Sequence, residues 1–279
     1  MKLCHFGPAG AEKPGLVIDG AVHDVSGLRG PWEPDDLSPE GLEAVARLDA
    51  AACPVVTPER MGVPWRGISK FVCIGLNYAD HAAEAGMTPP SEPIVFLKAN
   101  SAICGPDDPT PYPVGGSKLD WEVELAVVIG QLARNVSQAD ALSHVAGYCV
   151  TNDVSERAFQ MQSGQWDKGK GCDGFGPLGP WLVTADEVPD PQALDLWLDV
   201  NGQRMQTGTT ATMIFPVAEI VSYVSRYMTL MPGDVIATGT PPGVGMGQKP
   251  DPVFLKPGDV VELGIDGLGR QRQEIVSRD

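Results

Sequence analysis

No two of the six cysteines (Cys4, Cys53, Cys73, Cys104, Cys149, Cys172) stand in a CxxC spacing. Most lie inside apolar runs, which argues against a metal-thiolate site and fits reduced, buried thiols in a cytoplasmic chain. Positive charge is scarce, with 20 Lys and Arg against 36 Asp and Glu and a net charge of −16. So acidic a surface repels phosphate backbones and anionic bilayers, which argues against nucleic acid and membrane partners. No apolar run reaches the roughly 18 residues of a spanning helix, and MKLCHFGPAG lacks the pattern of a signal peptide.

What is present is a chain of 279 residues, long enough to bury a large core. Strand-like runs outnumber helical ones and rarely alternate as βαβ units, so the expected class is α+β and β-rich. Asp19-Gly20 between two apolar runs reads as a hairpin turn, as does Asn201-Gly202 further on. In SPEGLEAVARLDA, Ser38 serves as N-cap and Pro39 as the first helical residue. The Pro-punctuated stretch 53–69 is aperiodic and reads as a linker. It divides a small N-terminal αβ domain with its linker, residues 1–66, from a larger domain, residues 67–279.

The richest chemistry lies between Leu119 and Arg157. Val123 to Ile129 is a β-branched run of strand length. Glu122 and Glu124 stand two apart, so both leave one face of that strand, about 7 Å apart along it. Burying such a pair calls for a cation over that face. Asp153 follows a second apolar run, Val145 to Val150, and a strand there brings it beside the pair. Three hard oxygen ligands suit Mg²⁺ or Mn²⁺ better than zinc. Spacing alone is also met by solvated glutamates on an exposed strand edge.

A second cluster follows the strand-like FVCIG. Asn77 to Gly86 reads as a short helix or ordered loop with His81 and Glu84 three apart on one face. A carboxylate beside an imidazole orients it and raises its basicity, as a general base for water requires. A surface His–Glu pair has the same spacing. Met87 to Pro93 has the composition of a lid, and IVFLKANSAICG reads as a strand carrying Lys98. Ser137 and Asp140 resemble a capping box ahead of a helix, ALSHVAGY, with His144 packed in its apolar stripe. Gly164 to Pro180 is too glycine-rich for regular structure. It carries Lys168, Lys170 and Asp173, and the two lysines either balance the acidic cluster or serve an oxyanion. A helix is expected from Thr212 through Tyr227, and PGDV occurs twice as a turn.

Six segments then match one family in order: GLNYADHAAEAG, FLKANSAICGP, LDWEVELAVVIG, YCVTNDVSER, KGKGCDGFGPLGP and IATGTPPGVG. Together, across roughly residues 70–277, they resemble the catalytic domain of the fumarylacetoacetate hydrolase superfamily. The resemblance implies a mixed β-sandwich roll, usually dimeric, with Mg²⁺ on Glu122, Glu124 and Asp153, or Mn²⁺ or Ca²⁺ in its place. It implies that His81 with Glu84 activates water and that Arg157, Gln160 and Lys170 face the developing oxyanion. Thr240, Tyr78 and Lys98 are implied to hold substrate. One departure is that the founding hydrolase has a further metal aspartate before its histidine, with no equivalent near Ile74.

The N-terminal stretch MKLCHFGPAGAEKPGLVIDG is similar to a subgroup that cleaves 2,4-diketo-3-deoxy sugar acids derived from L-rhamnose or L-fucose. That implies hydrolysis of a 2,4-dioxo acid to pyruvate and a hydroxy acid such as L-lactate, in sugar catabolism. The same family supports acylpyruvate hydrolysis, oxaloacetate-type decarboxylation and keto–enol isomerisation. A non-catalytic, metal-dependent sugar-acid binder is the reading from another class.

Overall fold

The computed structural model describes residues 1–84 and 86–278, so residue 85, inside the expected Asn77–Gly86 segment, lies outside the described residues, as does residue 279. The longer strands and the helices, in chain order, are β1 (Lys2–Phe6), β2 (Lys13–Ile18), β3 (Ala21–Asp24), α1 (Pro39–Ala46), β4 (Phe71–Gly75), α2 (Ala79–Glu84) and β5 (Ile94–Lys98). β6 (Val123–Ile129), β7 (Val145–Asn152), α3 (Arg157–Gln160), α4 (Asp167–Lys170) and β8 (Gly176–Thr184) follow. The chain closes with β9 (Asp195–Val200), β10 (Gln203–Thr209), α5 (Val217–Tyr227), β11 (Val235–Ala237), β12 (Val260–Ile265) and β13 (Gly269–Ser277). The mixed, sheet-rich α+β class expected from the sequence is the class observed.

A 12-stranded sheet carries the order β3-β2-β1-β8-β7-β6-β11-β4-β5, extended by shorter strands. A 5-stranded sheet contains β10-β9-β12-β13. β6 explains how they pack. Val123, Leu125, Val127 and Ile129 join Leu196, Leu198 and Leu263 in one core, while Ala126 and Val128 join Trp32, Trp65 and Leu37 in another. With period 2, one strand thus feeds two cores, and all seven of its residues are buried. The large sheet does not break at the expected boundary near residue 66, because β1 pairs antiparallel with β8.

Asp19-Gly20 and Asn201-Gly202 turn as expected, each pair with positive φ (49° and 81°; 52° and 77°). Ser38 caps α1 by accepting from the Gly41 N–H. Three expectations need correction. ALSHVAGY forms a single 3₁₀ turn, Ala141–His144, because the β-branched run after it is taken up by β7. The helix expected from Thr212 begins at Val217, with Pro216 as N-cap. Proline restrains the residue before it from helical backbone, so Phe215 cannot extend the helix backward. Finally, the glycine-rich segment 164–180 is partly regular, supplying α4 and the start of β8. Its glycines serve close packing instead. A Cβ on Gly169 would lie 2.5 Å from Gln160 N and Glu156 O.

Candidate metal and active site

The antiparallel register Val123↔Asn152 sets the start of β6 against the end of β7, and the Asp153 N–H donates to the Glu122 carbonyl (2.9 Å). Glu122, Glu124 and Asp153 thereby bring carboxylate oxygens within 4.8 Å of one another, all buried. The exposed-edge alternative is excluded, since the three are only 6 %, 2 % and 1 % exposed.

Cations answer part of this charge. Lys170 Nζ bridges Glu122 (2.5 Å) and Asp153 (2.7 Å). Arg157 reaches Asp120 through Nε (2.8 Å), Glu122 through Nη2 (2.6 Å) and Gln160 through Nη1 (3.1 Å). Lys98 Nζ lies 2.6 Å from Asp153 Oδ1 and donates to the carbonyls of Lys170 (2.6 Å) and Val154 (3.1 Å). Four buried carboxylates, Asp120 included, therefore face three cations, so ionising all four leaves one negative charge over. Burial alone would raise the Glu122 carboxyl, but Arg157 and Lys170 outweigh it and hold it well below the usual range. Glu124 is pushed the other way, well upward, by burial and by the charges of Asp153 and Glu122.

This donor set fits a divalent cation. Asp153 Oδ1 is fully buried yet makes no aligned hydrogen bond among the described residues, and the Lys98 ammonium near it is held by two carbonyls. Glu124 receives only the Gly239 N–H (2.8 Å) as hydrogen-bond donor among the described residues. Hard oxygen ligands of this kind suit Mg²⁺ or Mn²⁺.

A cavity of about 380 Å³ opens beside the three carboxylates, and His81, Glu84, Gln160 and Thr240 also line it. α2 begins just beyond β4 and presents His81 with its Nδ1 3.3 Å from Glu84 Oε2. A carboxylate only accepts, so the Nδ1 facing it carries the proton and Nε2 keeps the lone pair. Glu84 is held in turn by the Gly243 N–H, 3.1 Å from both of its oxygens. The loop after β11 thus touches Glu124 through Gly239 and Glu84 through Gly243. Glycine is required at the second position, since φ is 103° and a Cβ would meet Met205 O at 2.0 Å.

Several expected roles change. The Arg157 hydrogen bonds run to Asp120, Glu122 and Gln160, so it orients Glu122 and turns the Gln160 amide, whose Nε2 is left to donate. Lys170 stands within the carboxylates, and its burial, which would lower its pKa, is outweighed by Asp153 and Glu122, which raise it. The Thr240 hydroxyl donates to the Val123 carbonyl (2.9 Å), so its proton is taken up inside the protein. Tyr78 and Lys98 do not line the cavity. Tyr78 is wholly buried, and Lys98 has both carbonyls and Asp153 around its ammonium. Sequence reasoning passed over Asp120, which anchors Arg157 and accepts from the N–H groups of Gly245 (2.6 Å) and Met246 (3.1 Å). It also missed Phe96, Met161, Trp166 and Met246, which with Met87 of the expected lid segment form an apolar wall of the cavity.

Residues 70–276 match the family model described as fumarylacetoacetate (FAA) hydrolase, C-terminal. The chain belongs to the fumarylacetoacetate hydrolase family. A Burkholderia ambifaria relative named "Putative hydrolase" is 59 % identical over 276 residues, 98 % of both chains. Two solved structures bracket the chemistry found in such relatives. The maleylpyruvate hydrolase of Sphingobium sp. SYK-6, in complex with manganese(II) and pyruvate, is 30 % identical with a TM-score of 0.82. The 5-carboxymethyl-2-hydroxymuconate delta-isomerase of Mycobacterium smegmatis is 32 % identical with a TM-score of 0.77. Each pairing covers all of both chains. This fumarylacetoacetate hydrolase family member has no helix among the described residues long and apolar enough to cross a membrane.

Proposed function

We propose that the chain hydrolyses the C3–C4 bond of a 2,4-dioxo acid, releasing pyruvate and a second acid. The carrying observation is the His81–Glu84 pair on the same cavity as the Glu122/Glu124/Asp153 cluster. Decarboxylation and simple binding need the cluster but no base, so a carboxylate-oriented imidazole favours hydrolysis over both, and isomerisation, which shares the base, is told apart by its products.

A divalent cation on the three carboxylates would supply a Lewis acid and a chelating template for the C1 carboxylate and C2 oxygen of the substrate. His81 Nε2 takes the proton from a water attacking C4, and Glu84 stabilises the imidazolium. The Gln160 amide, turned by Arg157, donates to the oxygen that gains charge at C4. As the carbon–carbon bond breaks, its electron pair passes into the pyruvate half as an enolate, and the proton held by His81 is positioned to return to C3. Lys170, with Arg157, keeps Glu122 charged throughout.

The proposed substrate is 2,4-diketo-3-deoxy-L-rhamnonate or its fuconate counterpart. Support comes from the resemblance of the N-terminal stretch and from the apolar wall. A lactoyl end carries one hydroxyl and one methyl, and the wall offers methionine and tryptophan surface to the methyl with Gln160 and Glu84 nearby for the hydroxyl. The test is a comparison of kcat/KM for this acid and for acetylpyruvate. A preference of roughly tenfold or more for the sugar-derived acid is expected. Equal values would replace the assignment with general acylpyruvate hydrolysis.

A further inference from the structure

The structure assigns Gln206 a positioning role in both halves of this site, an inference that rests on reading the carboxylate cluster as a metal centre. Gln206 lies on β10, in the smaller sheet, and is wholly buried. Its Oε1 accepts the Val123 N–H (3.0 Å), and its Nε2 donates to Thr240 Oγ1 (2.8 Å) and to the Pro241 carbonyl (2.8 Å). Thr240 Oγ1 donates onward to the Val123 carbonyl. A closed ring results, running from Val123 through Gln206 and Thr240 back to Val123.

Val123 is the residue between the two glutamates of the metal cluster. Its N–H belongs to the peptide joining it to Glu122, and its C=O to the peptide joining it to Glu124. Pinning both groups fixes two successive peptide planes, and with them the side from which both carboxylates leave the strand.

The need for such a clamp follows from the sheet. β6 pairs with β11 only over Ala126–Val128. Past Ala237 the chain turns away into the loop, and the Thr238 N–H still reaches the Leu125 carbonyl (3.1 Å). Two residues earlier, Val123 has no strand on that edge among the described residues. Buried backbone groups require partners, and the side chains of Gln206 and Thr240 stand in for the absent strand. The amide orientation is unambiguous, because the Val123 N–H needs an acceptor and the Pro241 carbonyl needs a donor.

The second Nε2 hydrogen bond makes the role more than structural. Pro241 precedes the Gly243 N–H that holds Glu84. One amide therefore ties the strand bearing the metal ligands to the loop that sets the orienter of the base.

The test compares Gln206→Met with Gln192→Met by Mn²⁺ titration, read from the paramagnetic resonance of free Mn²⁺, and by thermal melting. Gln192 does the same work elsewhere, accepting the Val217 N–H (2.8 Å) and donating to the Thr210 carbonyl (3.0 Å), away from the cluster. Gln206→Met is expected to weaken Mn²⁺ binding about 10-fold or more, while Gln192→Met melts lower but binds Mn²⁺ like the wild type. Thr240→Val removes both ring bonds made by its Oγ1 and leaves only that from the Val123 N–H to Gln206 Oε1. It serves if Gln206→Met does not fold, with the same direction expected. Wild-type affinity in the ring variants, or equal losses in the Gln192 control, would overturn the inference. A wild-type chain that takes up no Mn²⁺ would overturn the metal-centre reading itself.

Discussion

Glu84 holds His81 from one side and is held by the Gly243 backbone from the other, so the imidazole is aimed by two elements 159 residues apart in the chain. Under the proposed reaction this imidazole acts on a proton and contributes little to binding. His81→Ala should therefore lower kcat by roughly 10²–10⁴-fold while Mn²⁺ affinity stays near wild type. Glu84→Gln should fall between, since the amide still fills the position but cannot stabilise an imidazolium. Parallel losses of metal binding and rate in His81→Ala would mark the residue as structural.

Chelation should abolish turnover, and Mg²⁺ or Mn²⁺ should restore it. Glu122→Gln and Asp153→Asn should lose metal affinity and rate together, because each removes a ligand charge and a partner of Lys170. Full activity in a metal-stripped sample, checked by elemental analysis, would contradict the metal site.

These two groups of residues were legible in the sequence for different reasons. Glu122 and Glu124 obey strand periodicity, and His81 and Glu84 obey helical spacing, so local pattern places each pair on a face. Asp153 required only that Val145 to Val150 be a strand, and it is. Asp120, Asn152 and Gln206 follow no such pattern. Asn152 accepts the Glu122 N–H and donates to Gln273 across 121 residues, and Gln206 meets Val123 across 83. Partners this distant are set by sheet stacking, which no local window records. Arg157 was visible as a cation near the cluster. That its hydrogen bonds go to Asp120, Glu122 and Gln160 could be known only from the fold.

Lys98 supplies a further prediction. Its ammonium is wholly buried against Asp153, so Lys98→Met raises the surplus negative charge of the cluster, counted with all four carboxylates ionised, from one to two. Breaking a buried pair by removing one partner costs about 3–5 kcal/mol. Tm should fall accordingly, and Mg²⁺ or Mn²⁺ should raise it by more than in the wild type. Equal metal-induced shifts in the two proteins would show that the cation does not enter this cluster.

Stability should also report on His5, which is buried between the Val63 carbonyl and the Trp32 N–H, 2.9 and 2.7 Å away. Burial lowers its pKa from 6.5 to about 4, so the folded state holds it neutral where the unfolded chain takes up a proton. The contribution is fully present above pH 6.5 and declines as the pH falls toward 4. Between pH 7 and pH 4.5 the loss from this group is about 2 kcal/mol. Urea denaturation at the two pH values should show a smaller acid loss in His5→Gln than in the wild type. An unchanged loss would exclude His5 as a contributor.

The most direct test of the central claim is to follow oxygen. The metal-loaded protein is incubated with 2,4-diketo-3-deoxy-L-rhamnonate in H₂¹⁸O, and the products are read by mass spectrometry. Hydrolysis by water attack at C4 predicts pyruvate and lactate in equal amounts, with one ¹⁸O in the lactate carboxylate. Release of CO₂, or a rearranged six-carbon acid with no lactate formed, would contradict it.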